Sequence, residues 1–128
     1  MIAQVNLPDV LAELEAIFDR YECALVNNDV DRLNALFWRS TITLRYGVGE
    51  NLYGFDAIAD FRARRRPQGL ERTIRRRLVT TFGRDVAVTN IEFERDGVDR
   101  IGRQSQTWVR FPEGWRIVAA HVSWMDTP

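Results

Sequence analysis

From Leu11 to Leu25 the apolar residues Leu11, Leu14, Phe18, Tyr21 and Leu25 recur at steps of three and four, with Glu13, Glu15, Asp19 and Glu22 between them. That spacing puts one apolar stripe on an α-helix and predicts a helix from about 8 to 26. Pro8 and Asp9 suit its first turn, where a missing N–H costs nothing and a negative charge meets the positive end of the helix dipole. Asn27-Asn28 is the expected stop. Asp29 can cap a short second helix whose apolar face is Val30, Leu33, Leu36 and Phe37. The period then changes. Thr41–Tyr46 alternates strictly, which predicts a strand with Ile42, Leu44 and Tyr46 on one side. Residues 47–54 hold three glycines and read as a loop, and Phe55, Ile58, Ala59 and Phe61/Arg62 suggest a third helix ended by Pro67 and Gly69. Four runs rich in Val, Ile, Thr and aromatics follow: Thr73–Phe82, Val86–Glu94, Gly102–Phe111 and Trp115–Trp124. Consecutive strands with short breaks pair antiparallel, and the helices must cover one face. The expectation is an α+β cone-shaped fold: three N-terminal helices on a strongly curved, mostly antiparallel sheet around a single internal pocket.

The last two runs carry the most information. Pro112 presets the turn between them and Gly114 supplies the dihedrals that close it. By alternation Gln104, Gln106 and Trp108 share one face of the first strand, and Trp115, Ile117, Ala119, His121 and Ser123 share one face of the second. Tryptophan mixed with amides, a histidine and a serine is too polar for plain core and reads as a pocket wall. The opposite parity, with Arg103, Ser105 and Thr107 inward, stays open at this point.

Composition narrows the class. A chain of 128 residues suits one domain, 1–128, and its 45% hydrophobic content is that of an ordinary globular protein. The first residues have no basic region followed by a long apolar run, and no window reaches the roughly 18 apolar residues of a membrane span, so the expected setting is cytoplasmic. Cys23 lies within a helical pattern and reads as a buried structural thiol. One histidine and one cysteine are poor material for a metal site, and nothing calls for a cofactor. Net charge is zero but uneven. Seven acidic residues fall within 1–32 and eight arginines within 62–77, and all basic residues are arginine. The arginine run invites a nucleic-acid reading, but half of it falls on a helix end and half on an alternating strand, and the acidic first helix offers an internal complement. No nucleic-acid or membrane partner is expected.

Candidate chemistry follows from residue type. His121 is the one side chain that titrates near neutrality, which suits a general acid or base; the plain alternative is a hydrogen-bonded core histidine. Gln104 and Gln106 would read amide, urea or carboxylate groups from a pocket wall. Arg45 and Glu50 flank the glycine loop, where Arg45 could hold a carboxylate bidentately and Glu50 could be a base or merely its ion-pair partner.

Arg45-Tyr-Gly-Val-Gly-Glu-Asn-Leu-Tyr-Gly54, Gly102-Arg-Gln-Ser-Gln-Thr-Trp108 and Gly114-Trp-Arg-Ile-Val-Ala-Ala-His-Val-Ser123 resemble the oxalurate-catabolism (HpxZ) and AtzH-like family, from about Leu7 to Ser123. The resemblance implies the SnoaL-like, nuclear-transport-factor-like cone, with a small-molecule pocket and homodimers formed through the open sheet face. The spacing of Trp108, Trp115, His121 and Ser123 is also similar to the association domain of calmodulin-dependent kinase, which implies that Gln106 faces a pocket. The catalytic Tyr and Asp pair of steroid isomerases cannot be placed, so that activity is not implied. Relatives are associated with purine-ring or s-triazine breakdown, beside amidases acting on ureido acids. The functional expectation is a pocket protein that hydrolyses or decarboxylates a small anionic ureido carboxylate. Arg45 would hold the carboxylate, Gln104 and Gln106 orient the amide, and Trp108, Tyr46 and Ser123 line the site. His121 would move a proton, with Glu50 as second candidate. The alternative is a non-catalytic accessory protein that binds a partner amidase.

Overall fold

The computed structural model describes Met1 and residues 4–128. Helix α1 (Pro8–Val26) buries Leu14, Phe18, Tyr21 and Leu25 of the stripe its spacing predicts, together with Val10 and Ala24, while Leu11 is only partly buried. Cys23 is exposed, contrary to the buried thiol expected, because it lies about 200° round the helix from Tyr21. Asp29 accepts from the Arg32 N–H and opens the short helix α2 (Val30–Ala35). Strand β1 (Leu44–Tyr46) is half the length its alternation suggests. Thr43 is fully buried and its hydroxyl donates to the Trp38 carbonyl, which bends the chain before the strand starts. The glycine-rich stretch hides a strand, β2 (Asn51–Tyr53), too short to show a period. Gly54 follows at φ 91°, a conformation that favours glycine, and starts helix α3 (Phe55–Arg64).

Strands β3 (Thr73–Phe82), β4 (Val86–Glu94), β5 (Arg100–Phe111) and β6 (Gly114–Asp126) complete one curved sheet in the order β2-β1-β6-β5-β4-β3. Only β1 with β6 is parallel. The helices cover the concave side, and the fold class is α+β. Arg77 ties α1 to β3, reaching Glu15 and Asp19 while its guanidinium lies 4.8 Å from the Phe18 ring centre. Among the described residues no helix is long and apolar enough to cross a membrane.

One irregularity decides what faces inward. Thr107 pairs with Ala119 but Trp108 pairs with Ile117, so Val118 is an extra residue on β6. A bulge of one residue moves every later side chain to the other face of the sheet. Trp115 and Ile117 point into the core before it, and Ala120 is buried after it, with Val122 and Trp124 on the same side. His121 and Ser123 therefore lie on the outer face, with His121 exposed. The single face expected for Trp115, Ile117, Ala119, His121 and Ser123 is broken at Val118. On β5 the expected parity holds: Gln104, Gln106 and Trp108 are all buried.

Gly102 explains the inner end of β5. A Cβ there would fall 2.3–2.6 Å from three carbons of the Phe93 ring, which is fully buried across the strand. The bare glycine lets that ring lie flat on the sheet. Gly102→Ala is expected to cost about 1–3 kcal/mol through overpacking. Thermal unfolding should show a midpoint several degrees lower, and an unchanged midpoint would mean that Phe93 has room to move.

Candidate functional site

A cavity of about 160 Å³ lies between the helices and the concave face of the sheet. It has room for roughly five water molecules' share of liquid volume, so a ligand must be compact. Tyr21 and Leu25 of α1 and Phe61 of α3 form one side, and Phe93, Gln104, Val122 and Trp124 of β4, β5 and β6 form the other. Arg45, with Val48 and Glu50 of the β1–β2 turn, completes the lining together with Arg65, Leu70 and Arg72, after α3, and Arg95, after β4. Larger depressions of about 300–380 Å³ lie elsewhere on the surface, including one beside Arg39 and the start of α3. Arg39 there is itself exposed and stacked on Phe55, so that depression lacks the buried polar groups described next.

Four guanidinium groups reach the cavity, and they are not equivalent. Arg72 is the most buried and is held twice: it spans both carboxylate oxygens of Glu22 and donates to the Gln104 side-chain oxygen at 3.2 Å. Arg45 pairs with Glu50 at 3.0 Å, and the Gly49 N–H donates to the second Glu50 oxygen. Gly47 makes this possible, because a Cβ on it would collide with the Glu50 carboxylate. Among the described residues the Arg65 guanidinium donates only to the Asn28 side-chain oxygen, at 3.3 Å, and Arg95 makes no side-chain hydrogen bond, its guanidinium lying 5.6 Å from the Phe93 ring and 5.9 Å from Trp124. The Nε of each is buried without a partner. Burial pushes the Arg65 and Arg95 guanidinium groups below their usual range, and neighbouring arginines push the same way. Both stay cationic at neutral pH. Four positive charges against the two carboxylates of Glu22 and Glu50 leave an excess of two, carried by Arg65 and Arg95.

Gln104 completes the donor set. Its oxygen is taken by Arg72, so its amide Nε2 is turned out as a donor, and that atom is buried without a partner. Gln106 and Trp108, also expected at the site, sit deeper. The Trp108 indole donates to Thr89, whose hydroxyl donates to the Gln106 oxygen, and neither residue lines the cavity. Tyr46 faces the other way: its hydroxyl lies 3.1 Å from that of Tyr53 and its ring lies edge-on to His121. Ser123 accepts a hydrogen bond from Arg103 on that same outer face. Of the residues expected at the site, the cavity thus brings together Arg45, Glu50 and Gln104, while His121, Tyr46 and Ser123 lie across the sheet. Tyr21, Arg65, Arg72 and Arg95 were missed. Tyr21 sat on a helix stripe indistinguishable from core, Arg65 and Arg72 belonged to a run whose faces only the loops determine, and Arg95 stood singly just past the end of β4. Among the described residues no cluster of three His, Cys, Asp or Glu side chains is placed to hold a metal.

The family model described as AtzH-like matches residues 3–128. A protein of unknown function from Pectobacterium atrosepticum is 56% identical, with 95% of each chain covered and a TM-score of 0.94. A cystatin-like fold protein from Burkholderia xenovorans is 47% identical, with 98% of each chain covered and the same TM-score of 0.94. A nuclear transport factor 2-like superfamily protein from Salmonella enterica, 24% identical over 93% of each chain with a TM-score of 0.74, shows the likeness of fold alone. No curated protein matches the chain.

The two acids should differ sharply on removal. Glu22→Ala leaves Arg72, only 2% exposed, buried among like charges and is expected to cost about 3–5 kcal/mol. Glu50→Ala frees a partly exposed pair on a loop and should cost no more than about 1 kcal/mol. Urea unfolding of both variants checks this; equal losses would mean that Glu22 does not neutralise Arg72.

Proposed function

The chain belongs to the AtzH-like family, and on that premise we propose that the cavity binds a compact ureido carboxylate carrying two negative charges and cleaves it. The observation that carries this reading is the pair of buried guanidinium groups, Arg65 and Arg95, with no carboxylate partner beside the free Gln104 amide. A buried cation without a counter-charge is costly, and a ligand carboxylate removes that cost. Arg65 and Arg95 hold one carboxylate and Gln104 donates to the ureido carbonyl. Arg45 takes the second carboxylate on the guanidinium edge that its Nη1 bond to Glu50 leaves open, so that pair stays in place.

Decarboxylation suits this wall better than hydrolysis. Losing CO2 from an N-carboxylate breaks one C–N bond, returns its electron pair to nitrogen and needs a single proton there. Tyr21 is the one hydroxyl on the cavity wall and can relay that proton from solvent. The donors around it, in a site with little water, stabilise the charge that develops on the ureido group. Hydrolysis requires a base for water, and the one carboxylate on the wall, Glu50, is engaged by Arg45 and the Gly49 N–H. His121 lies too far across the sheet to serve this cavity. The outer face that carries it, with exposed Leu78 and Val86, supports self-association as a homodimer.

Binding to the native state alone raises the melting temperature by mass action, worth about 2.7 kcal/mol at a hundredfold excess over Kd. Oxalurate, allophanate, dicarboxylated urea and malonate are each tested beside neutral amides. A rise of several degrees is expected with the dianions dicarboxylated urea and malonate, a smaller one with the monoanions oxalurate and allophanate, little with the amides, and none with Arg95→Ala or Arg65→Ala. CO2 release from the dicarboxylated urea should be lost with Tyr21→Phe while its thermal shift survives. No shift with any anion would sink the reading and favour an accessory protein that binds an amidase. For the homodimer, light scattering at micromolar concentration is expected to return twice the 14.9 kDa chain mass.

A further inference from the structure

Arg62 stands behind the cavity and outside the roles assigned so far. It is 3% exposed, donates to the Asn34 side-chain oxygen at 2.7 Å, and its guanidinium lies 4.7 Å from the centre of the Phe37 ring. Among the described residues it forms no ion pair. Arg65 follows three positions later on the same chain turn, so two like charges lie one helical turn apart with no acid between them. Burial pulls the Arg62 guanidinium down to about 10, and Arg65 and Arg45 add to this, but it remains charged at neutral pH.

A contact between α2 and α3 does not need this charge. Asn34 asks for one donor, which a neutral amide supplies, and Phe37 would pack on any flat or apolar side chain. Neutral replacements of buried ions are often harmless or stabilising. What a neutral side chain cannot supply is a fixed positive potential at the Arg65 end of the cavity. We propose that Arg62 is a positioning residue whose buried charge sets the preference of the cavity for dianions over monoanions. The inference rests on the anion-binding reading above. It predicts a particular pattern, because the energy of a ligand in a fixed potential is proportional to the ligand's charge. A loss of roughly tenfold for a dianion therefore corresponds to a loss of only about threefold for a monoanion.

The test measures malonate and acetate affinity, by calorimetry, for the wild-type chain, Arg62→Gln and Arg62→Lys. Gln keeps a donor for Asn34 without charge, and Lys keeps the charge without the planar stack. With Arg62→Gln, malonate binding is expected to weaken about tenfold and acetate about threefold, with the melting temperature of the free protein unchanged or higher. Arg62→Lys should stay within about threefold of wild type for malonate. Three results would overturn the inference while leaving the cavity reading intact: unchanged malonate affinity in Arg62→Gln, equal losses for the two acids, or equal losses for Gln and Lys. Failure of Arg62→Gln to fold would also overturn it, since the charge would then serve the fold. A wild-type chain that binds neither acid would remove the cavity reading, and this inference with it.

Discussion

The site depends on the mutual repulsion of arginines packed around one small cavity and answered by too few carboxylates. Arg45, Arg62, Arg65, Arg72 and Arg95 act on one another electrostatically, and only Arg45 and Arg72 have an acid in contact. Folding has to hold these charges together against their repulsion. It does so with groups that do not cancel the charge: Phe37, Phe61 and Phe93 lie against Arg62, Arg45 and Arg72, and Asn28 and Asn34 accept from Arg65 and Arg62. Aromatic faces and amides tolerate a cation without neutralising it. The positive potential therefore survives into the folded state and remains available to an anion.

The sheet contributes the second constraint. Inserting Val118 into β6 turns Ala120 into the core and Val122 and Trp124 toward the cavity, and sends His121 and Ser123 to the outer face. Without the bulge, a histidine and a serine would stand where an alanine and an apolar wall now lie. Apolar residues at those positions lower the local dielectric beside the arginines, which strengthens charge interactions there. Gly102 acts in the same sense on β5, since its missing side chain lets Phe93 lie under Arg72 and Arg95.

Much of the architecture was legible in the chain. The period-three-and-four stripe of α1, the Asp29 cap, the four long strands and the inward parity of Gln104, Gln106 and Trp108 all follow from local pattern, which local physics sets. The change of phase in β6 is written in the chain but easy to pass over: apolar positions are odd up to Ile117, even from Ala120, and the unbroken apolar run 117–120 separates them. Reading one alternation straight through that run put His121 on the wrong face. The arginines were misread for a related reason. Arg65, Arg72 and Arg95 lie in or beside loops, where no periodicity tells inside from outside, and the run from Arg62 to Arg77 mixes a cavity wall with surface ion pairs such as Arg75–Glu94. Arg45, Glu50 and Gln104 were found because a glycine loop and a strand of mixed polarity mark their surroundings.

The location of His121 bears on mechanism as well as on topology. A cavity with no imidazole in its wall has no group that titrates naturally near neutrality, so chemistry there must ask little of proton transfer. Loss of a carboxylate as CO2 is such a chemistry: the difficult part is stabilising charge, and a single proton arrives afterwards. The charge inventory fits that demand. Tyr21 is a hydroxyl placed among cations, Glu50 is held by Arg45, and the guanidinium groups of Arg65 and Arg95 supply fixed stabilisation that needs no proton bookkeeping. The proposed decarboxylation is consistent with both features of the cavity, its donor set and a wall of described residues that includes no imidazole, because it draws on a preformed positive field.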